Sequence, residues 1–360
     1  MPPRADTVSV SVIVPAFRSA ATLGRCLDAL RASSLDDVTW ELIVVDDGSD
    51  DATAAIASSA ADRVVRVAAG PRGPAHARNA GAAVAQGDIL VFIDADVVVA
   101  PDALRRMTDH LVPGRPVSAV FGAYDDRPDD TGFVSQYRNL LHHWVHRTNA
   151  GDASTFWGAC GAVRHSVFDA VGQFDEQRYT RPQIEDVELG YRMHDAGHRI
   201  VLDPAVQCTH LKRWTLRSML RVDLMDRAIP WMHLLIARRE TVTAGPLNLK
   251  GTEKWLTAIT GLTLLSTALA LLMPDVRWLL ASAVGLAIVI AANAPLLRWL
   301  AQERGPWFAL RTIPLRILFY SECAVATGLV IVTRLAGLKG AAGARHRGVR
   351  HERSQTGSPG

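Results

Sequence analysis

The sequence has few cysteines and little net charge. Its four cysteines, among 360 residues, are scattered without C-x-x-C spacing, so they indicate neither a structural zinc site nor a disulfide framework, and we expect a reducing compartment. The net charge is only +3, from 39 basic and 36 acidic residues. Such a balance gives no electrostatic reason to expect nucleic acid as a partner.

Three familiar sequence signals are also missing. The residues before Val8 contain no apolar stretch with a cleavage site, so we expect no secretory signal and an N-terminal part that stays inside the cell. The glycine-containing segment at 70–81 fits neither the P-loop pattern nor G-x-G-x-x-G, which argues against an ATPase and against a dinucleotide enzyme.

Apolar residues, in contrast, are plentiful. They make up 49% of the sequence, and the mean hydropathy is +0.10. Both values are high for a wholly soluble protein, so we expect part of the chain to contact a membrane.

The segment from Ile89 to Asp96 joins an apolar run to two acids. Ile89–Ile93 has the composition of a buried parallel strand, and Asp94 and Asp96 follow it directly. Ligands of open α/β sheets bind at the carboxyl ends of the strands, where two carboxylates would repel each other unless they held a cation. We therefore expect a divalent ion here, itself holding a phosphate. The simpler alternative for an isolated D-x-D is a strand that ends in a turn.

Three further strands precede this segment and alternate with helices. They are predicted at residues 8–16, 40–45 and 63–68. Together with the fourth strand they predict a parallel sheet with right-handed crossovers and a nucleotide cleft at one edge.

Two features near that edge carry suitable polar groups. Asp46 and Asp47 end the second strand, where carboxylates can accept hydrogen bonds from a base or a ribose. Arg78 lies in a small-residue helix after a Gly/Pro loop, and from there its planar guanidinium can reach a phosphate or a base.

Four blocks in this order resemble the family 2 glycosyltransferases, which have the GT-A fold. The blocks are Val12–Phe17, Ile43–Ser49, Ala77–Gly81 and Phe92–Asp96. The resemblance implies an α/β GT-A fold with a mostly parallel sheet, a nucleoside diphosphate sugar as donor, and Mg²⁺ or Mn²⁺ on its diphosphate. It also implies donor-binding roles for Pro15, Ala16, Phe17, Asp46, Asp47, Arg78 and Asp94. One departure is Arg18, which follows Phe17 where the family often has asparagine.

The second half of this domain resembles the acceptor side of the same family. Glu185-Asp186 looks like the family's E-D motif at the start of a helix. Inverting transfer needs a carboxylate that takes the proton of the acceptor hydroxyl, so we expect Asp186 to be the catalytic base, with Glu185 beside it. The alternative is that both acids only stabilise the helix N-terminus.

His210 lies in a segment that resembles the family's closing segment, where a histidine can complete the metal or diphosphate site. We predict it as a metal ligand with Asp94 and Asp96, and weigh a structural role equally. Arg213-Trp214 matches only part of the Q-x-x-R-W signature of processive synthases, which favours transfer of a single sugar. The acids and histidines at 124–152 are irregularly spaced, which predicts a solvated loop and helix, and an acceptor lid, rather than a metal cluster.

The C-terminal third changes character. Residues 216–239 mix apolar and basic side chains, which predicts an amphipathic interfacial helix broken near Pro230. Residues 255–273 and 278–297 are apolar enough to span a bilayer, and 310–335 form a less certain third span.

Basic residues suggest an orientation for these spans. Lys250 and Lys254 precede the first span and place the catalytic domain in the cytosol. The chain returns there after the second span at a group of arginines: Arg298, Arg304, Arg311 and Arg316. The tail after Arg334 is also basic, so either the third segment is interfacial or re-entrant, or the charge rule is broken there.

We therefore predict four parts of the chain. These are a GT-A catalytic domain at 1–214, an amphipathic linker at 215–250, a membrane anchor of two or three helices at 251–340 and a basic, disordered tail at 341–360.

The predicted activity is metal-dependent, inverting transfer of one sugar, such as a hexose, to a membrane-associated acceptor that is lipid-linked or a glycan precursor. The enzyme would be a multi-pass protein of the plasma membrane, with its catalytic domain in the cytoplasm. Two alternatives stay open, a processive polysaccharide synthase and a non-catalytic membrane scaffold that senses nucleotide sugars.

Overall fold

The computed structural model describes residues 9–35, 38–68, 70–238, 251–273 and 275–335. Its strands are β1 (Ser9–Ala16), β2 (Thr39–Asp46), β3 (Arg63–Arg66), β4 (Ile89–Ile93), β5 (Val97–Val99), β6 (Ala119–Tyr124), β7 (Gly151–Ala153), β8 (Cys160–Arg164) and β9 (Ile200–His210).

The helices fall into two groups. Those of the N-terminal part are α1 (Leu23–Arg31), α2 (Thr53–Ala60), α3 (Pro74–Ala82), α4 (Ala103–Leu111), α5 (Phe133–Thr148), α6 (His165–Ala170) and α7 (Glu185–Asp195). Those that follow are α8 (Leu216–Arg221), a π-helical segment (Val222–Ala228), α9 (Ile229–Arg238), α10 (Gly251–Leu272), α11 (Val276–Ala292), α12 (Ala294–Arg304) and α13 (Pro306–Leu335).

One mixed sheet organises the N-terminal part. Its strand order is β3-β2-β1-β4-β8-β6-β9-β5, and β7 pairs with β9. The first four strands are parallel, as predicted, while β8 runs antiparallel to both β4 and β6. The predicted α/β architecture is therefore confirmed, and its parallel half ends at the strand that carries the two acids.

Burial on both faces explains why the central strands are continuous apolar runs. Every residue of β4 is buried, and side chains of β1 alternate between two core clusters, one on each face of the sheet. A strand covered on both sides cannot retain charged residues, so Asp94 and Asp96 lie beyond its end, at the carboxyl edge of the sheet.

Helix α3 packs closely on the sheet because one of its residues has no side chain. A Cβ added at Gly81 would lie 2.5 Å from Ile13 Cγ2 and 3.1 Å from Val45 Cγ2, whereas one added at Gly24 in α1 would meet nothing within 4 Å. We expect Gly81→Ala to lower the free energy of unfolding by about 1–3 kcal/mol through overpacking.

Gly24→Ala is the matched control and should raise stability by about 0.5–1 kcal/mol, since alanine is the better helix former. Chemical unfolding of both full-length variants in detergent, followed by tryptophan fluorescence, measures the difference. Equal effects of the two substitutions would contradict the close packing of α3.

The C-terminal helices include candidates for membrane spans. By length and composition, α10 and α13 are long and apolar enough to cross a bilayer, and α11 with α12 would form a third span if the bent pair counts as one. The apolar stretch predicted at 278–297 is divided between α11 and α12, and the chain bends by 58° between them. Asn293, at the bend, donates its side-chain amide to the Val289 carbonyl and accepts from Arg316 Nε.

The segment at 124–152 is less solvated than predicted. It contains α5, whose buried residues Tyr137 and Leu140 pack against Trp299 and Leu300 of α12. His143 and His146 each donate from Nδ1 to a backbone carbonyl of β6, which explains their presence without a metal. Helix α5 thus joins the sheet to the C-terminal helices.

The amphipathic segment is also broken earlier than predicted. Its regular helix changes to π-helix at Val222–Ala228, and Pro230 lies in the first turn of α9. Predictions that concern Arg239, Lys250 and the tail at 341–360 lie outside the described residues.

Candidate active site

The two acids of the D-x-D lie together at the carboxyl edge of the sheet. Each side chain is about one-third exposed, at 33% for both Asp94 and Asp96. The Asp94 N–H donates to the Ala159 carbonyl, and the Asp96 carbonyl accepts from the Leu211 N–H. These backbone bonds fix the turn between β8 and the end of β9.

Arg78 bridges this turn to the E-D motif. Its Nη2 lies 2.7 Å from Asp94 Oδ1 and its Nη1 lies 3.0 Å from Glu185 Oε1. The arginine side chain is only 4% exposed and its Cζ lies 5.4 Å from the centre of the Phe174 ring. The sequence suggested that Arg78 reaches for a nucleotide. Instead, both ends of its guanidinium are occupied by acids, and Arg78 holds the D-x-D and the E-D motif together.

Asp186 begins α7 next to this bridge and differs sharply from Glu185. One oxygen accepts from the Gly158 N–H at 3.0 Å and the other from the Val187 N–H at 2.8 Å, and no cation among the described residues pairs with it. Glu185, in contrast, is buried, with Arg78 on one oxygen and the Gln183 N–H on the other. The geometry therefore leaves Asp186 available for a proton and gives Glu185 a positioning contact.

Gly158 makes the close approach between these groups possible. A Cβ at this position would lie 3.2 Å from Arg78 Cζ, so the glycine backbone covers the guanidinium while its N–H reaches Asp186. The sequence signal for this contact is the run of small residues at 158–162.

The pKa values of the three acids follow from their surroundings. Burial raises the pKa of Asp186 to about 6, and the neighbouring Glu185 adds to the rise while Arg78 opposes it. Burial also raises the pKa of Asp94, against the opposing charge of Arg78. For Asp96, burial is outweighed by the hydrogen bond and charge of His210, and its pKa falls.

His210 is oriented by residues of two other elements. Its Nδ1 donates to Asn139 Oδ1 at 3.1 Å, and its ring stacks on Tyr124 at 4.6 Å. Its Nε2 faces Asp96 Oδ2 at 3.4 Å, so that both side chains lie within reach of one cation. Asp96 and His210 therefore fit a cation between them.

Asp94 does not complete a protein-only metal site. Among the described residues, no three histidine, cysteine or acidic side chains converge as a group that could hold a metal ion. The predicted set of Asp94, Asp96 and His210 is thus assembled only as a pair, because Arg78 holds one oxygen of Asp94. Remaining ligands would have to come from a bound diphosphate.

On the donor side, Asp46 and Asp47 have structural partners. Asp47 accepts from the backbone N–H groups of Arg72 and Gly73, and Asp46 accepts from that of Ser49. Both side chains are buried, and their hydrogen bonds hold the loops of the predicted cleft. Either acid would contact a nucleotide in addition to these hydrogen bonds.

The first predicted block lies at the end of β1. Pro15 and Ala16 are its last residues, and Phe17 follows with 38% of its surface exposed. Arg18 has a φ of 48°, a conformation that asparagine adopts more readily than most residues, and it pairs with Asp50 at 2.7 Å. The departure from the family pattern is therefore accommodated by an ion pair, with Phe17 still open to a ligand.

A cavity of about 1000 Å³ opens beside Asp186. It is lined by α5, by the π-helical segment and by α9, α10 and α13, with His142, Trp157 and Arg227 near the acid. Sequence reasoning noticed these three residues only as parts of larger groups. These residues converge because α5 packs against the C-terminal helices, and the local sequence does not predict that packing.

Comparison with known proteins gives matches to the N-terminal part. Residues 11–172 match the family model described as Glycosyl transferase family 2. The chain is 42% identical over 111 residues to the succinoglycan biosynthesis protein ExoO of Rhizobium meliloti (strain 1021), covering 30% of this chain and 31% of the relative. It is 30% identical over 223 residues to a validoxylamine A glucosyltransferase of Streptomyces hygroscopicus subsp. jinggangensis (strain 5008), covering 52% of each chain. The chain thus spans about a third to a half of the length of these relatives.

A solved structure matches nearly the whole chain. The mannosyltransferase PcManGT from Pyrobaculum calidifontis, in complex with GDP-Man and Mn²⁺, aligns with a TM-score of 0.55 over 89% of this chain and 87% of its own, at 22% identity. At 22% identity this similarity shows the fold alone.

Proposed function

Because its N-terminal domain is a family 2 glycosyltransferase domain with the GT-A fold, we propose that this chain transfers one sugar from a nucleoside diphosphate sugar to a membrane-associated acceptor. The acceptor is lipid-linked, or a glycan precursor carried on a lipid. The observation that carries the proposal is Asp186, which has no cationic partner among the described residues and opens into the cavity beneath the apolar C-terminal helices.

The proposed chemistry is inversion by a single displacement. Asp186 takes the proton of the acceptor hydroxyl while that oxygen attacks the anomeric carbon, and the bond from this carbon to the diphosphate breaks. The N–H groups of Gly158 and Val187 hold the carboxylate in place. Glu185 holds Arg78, which in turn fixes Asp94, so the base and the D-x-D keep a constant relation.

Asp94, Asp96 and His210 are the residues that would hold a divalent ion with the donor diphosphate. Such an ion, Mg²⁺ or Mn²⁺, supplies charge stabilisation for the leaving group when bound. Support comes from the position of His210 Nε2 beside Asp96 and from the fold shared with a mannosyltransferase solved with GDP-Man and Mn²⁺. Pro15, Ala16, Phe17, Asp46 and Asp47 remain the proposed donor-side residues, with Arg78 as their link to the acceptor side.

Activity should depend on a metal through Asp96. We expect Asp96→Ala to weaken metal-dependent binding of nucleoside diphosphate by about tenfold or more, since the carboxylate that faces His210 is lost. Calorimetric titration of the full-length protein with UDP and GDP, with Mn²⁺ and with a chelator, measures this. Asp102→Ala, at an exposed acid of α4, is the control. Unchanged metal dependence in Asp96→Ala would contradict the proposed site.

The rate of sugar transfer should also fall at low pH, where the carboxylate of Asp186 becomes protonated. The carboxylate is the active form, so kcat/KM should rise about tenfold per pH unit below an apparent pKa near 6 and level off above it. Glu185→Gln removes a neighbouring negative charge and should move this limb to lower pH. A limb near pH 4 in the wild type would contradict the burial of Asp186.

The general test is a screen of the full-length protein in membranes against a panel of nucleotide sugars with Mn²⁺ or Mg²⁺. Release of nucleoside diphosphate together with one labelled sugar on lipid is the expected result. Long products would indicate a processive synthase, and binding without turnover would indicate a sensor.

The domain boundaries and the location follow from the same proposal. The catalytic part extends to about residue 214, an interfacial segment follows, and α10 to α13 form the membrane anchor. Apolar helices indicate membrane association, and we propose a multi-pass anchor in the plasma membrane with the catalytic domain on the cytoplasmic side. Lys254, just before the apolar part of α10, supports that side.

A further inference from the structure

The cavity beside Asp186 has two chemically different ends. Asp186, His142 and Arg227 lie at the end near the sheet. Helices α10 and α13 contribute mostly small and apolar residues, together with the charged residues Glu253, Lys254 and Arg316. Among the small residues, Gly261 and Gly328 leave room between two helices that are long and apolar enough to cross a membrane. A ligand that fills this space must therefore be polar at one end and apolar at the other.

Charge at the polar end is unbalanced. Arg138 and Asp223 form a buried bidentate ion pair, with Nη1 and Oδ2 at 2.9 Å. Arg227 lies one helical turn after Asp223 and lines the same cavity, yet it has no hydrogen bond or ion pair with any residue that the structure describes. Asp223 is engaged by Arg138, and although the charges of Asp223 and Asp186 favour the Arg227 cation, neither acid forms an ion pair with it.

Burial makes that position costly for a lone cation. Burial lowers the pKa of Arg227, and the nearby Arg138 adds to the effect. Arginine keeps its charge even so, and a partly buried guanidinium without a partner is stabilised by a bound anion. Arg227 also belongs to the π-helical segment, a distortion found frequently at functional sites.

We propose that the cavity binds an acceptor lipid that carries a phosphate or diphosphate. Arg227 binds the phosphate, the apolar end holds the hydrocarbon chain, and the hydroxyl to be glycosylated lies beyond the phosphate at Asp186. The statement that this hydroxyl receives the sugar rests on the proposed function. Phosphate binding by Arg227 can be tested without any sugar transfer. A phosphate would supply the hydrogen-bond partner that Arg227 lacks among the described residues, whereas a neutral lipid acceptor would bring no such charge.

Binding of farnesyl phosphate and farnesol to the full-length protein in detergent tests the proposal. The two probes share one hydrocarbon chain and differ in the phosphate, and quenching of tryptophan fluorescence reports on a cavity lined by Trp157, Trp231 and Trp255. We expect the wild type to bind farnesyl phosphate about tenfold or more tightly than farnesol, because a charge-assisted hydrogen bond is made only with the phosphate.

Arg227→Gln should remove this preference, and Arg227→Lys, which keeps the charge, should retain part of it. Arg221→Gln is the matched control, since Arg221 is exposed and lies outside the cavity lining. If Arg227→Gln unfolds the protein, the comparison of Arg227→Lys with the wild type at rising inorganic phosphate provides the same test.

Three results would overturn the inference. They are equal affinity of the wild type for both probes, a preference that survives in Arg227→Gln, and a loss of nucleoside diphosphate binding in Arg227→Gln, which would assign the arginine to the donor. The nucleotide-sugar screen tests the proposed function separately. A protein that transfers no sugar but still binds farnesyl phosphate more tightly than farnesol would contradict the proposed function and support the lipid site.

Discussion

Asp186→Asn is expected to reduce sugar transfer by about 10²- to 10⁴-fold while nucleoside diphosphate binding stays within a factor of about two. Asparagine has nearly the same shape and can still accept the N–H of Gly158 or Val187 on its carbonyl oxygen. It cannot take up a proton from an incoming hydroxyl. The effect should therefore appear in kcat and not in donor affinity.

Single-turnover assays with the donor identified by the screen, paired with calorimetry for the nucleotide, separate the two effects. Asp109→Asn serves as a control, because this acid is exposed on α4 and far along the chain from the site. Transfer that persists in Asp186→Asn would place the base elsewhere. Loss of nucleotide binding would show that Asp186 serves the donor.

Arg78→Met is expected to lower the free energy of unfolding by about 3–5 kcal/mol. The substitution removes the cation between Asp94 and Glu185 and leaves two acids facing each other, with the Glu185 side chain only 6% exposed. Removing one member of a buried ion pair leaves an uncompensated buried charge, and this penalty exceeds the value of the pair itself. The partial exposure of Asp94 favours the lower end of the range.

Chemical unfolding with a chelator present tests this expectation, because a bound metal would otherwise stabilise the two acids. Arg106→Met is the matched control: it breaks an exposed ion pair with Asp102 and should cost less than about 1 kcal/mol. Adding Glu185→Gln to Arg78→Met should restore part of the loss. If Arg78→Met and Arg106→Met have similar effects, the bridge does not stabilise the fold.

The sequence was informative wherever one element decides the structure by itself. The apolar run at Ile89–Ile93 is buried on both faces, and its length and composition predict that directly. The acids at 185 and 186 begin a helix, as their sequence position suggests. Such features depend on local propensity and on burial, which leave a clear periodic pattern.

Contacts between distant segments were not predictable in the same way. Arg78 was expected to face the donor, yet it pairs with Glu185, 107 positions later. The sequence does not show that these two residues are close in space. The burial of α5 depends in a similar way on Trp299 and Leu300. These outcomes reflect tertiary packing, which overrides the local preference for solvent.

The membrane helices show the same limit on a smaller scale. Hydropathy located α10 and α13 well, but it did not reveal that Asn293 breaks the second apolar stretch. Pro295 lies in the first turn of the next helix, and Asn293 has a partner on another helix. Arg316 donates to the Asn293 side chain and also bonds Tyr320, which reaches Glu253. A polar group within an apolar run is tolerated where such partners exist.

The bend after α11 brings α12 against the N-terminal part. Because α12 turns aside and packs against α5, and Arg304 donates to the Asp126 carbonyl, direct contacts join α12 to the N-terminal part. If these helices lie in a bilayer as proposed, the contacts between α5 and α12 would set the height of the Asp186 carboxylate above the lipid headgroups. Under the proposed function, the length of an acceptor would then decide whether its terminal hydroxyl reaches Asp186, and a product lengthened by one sugar is expected to be a poorer substrate.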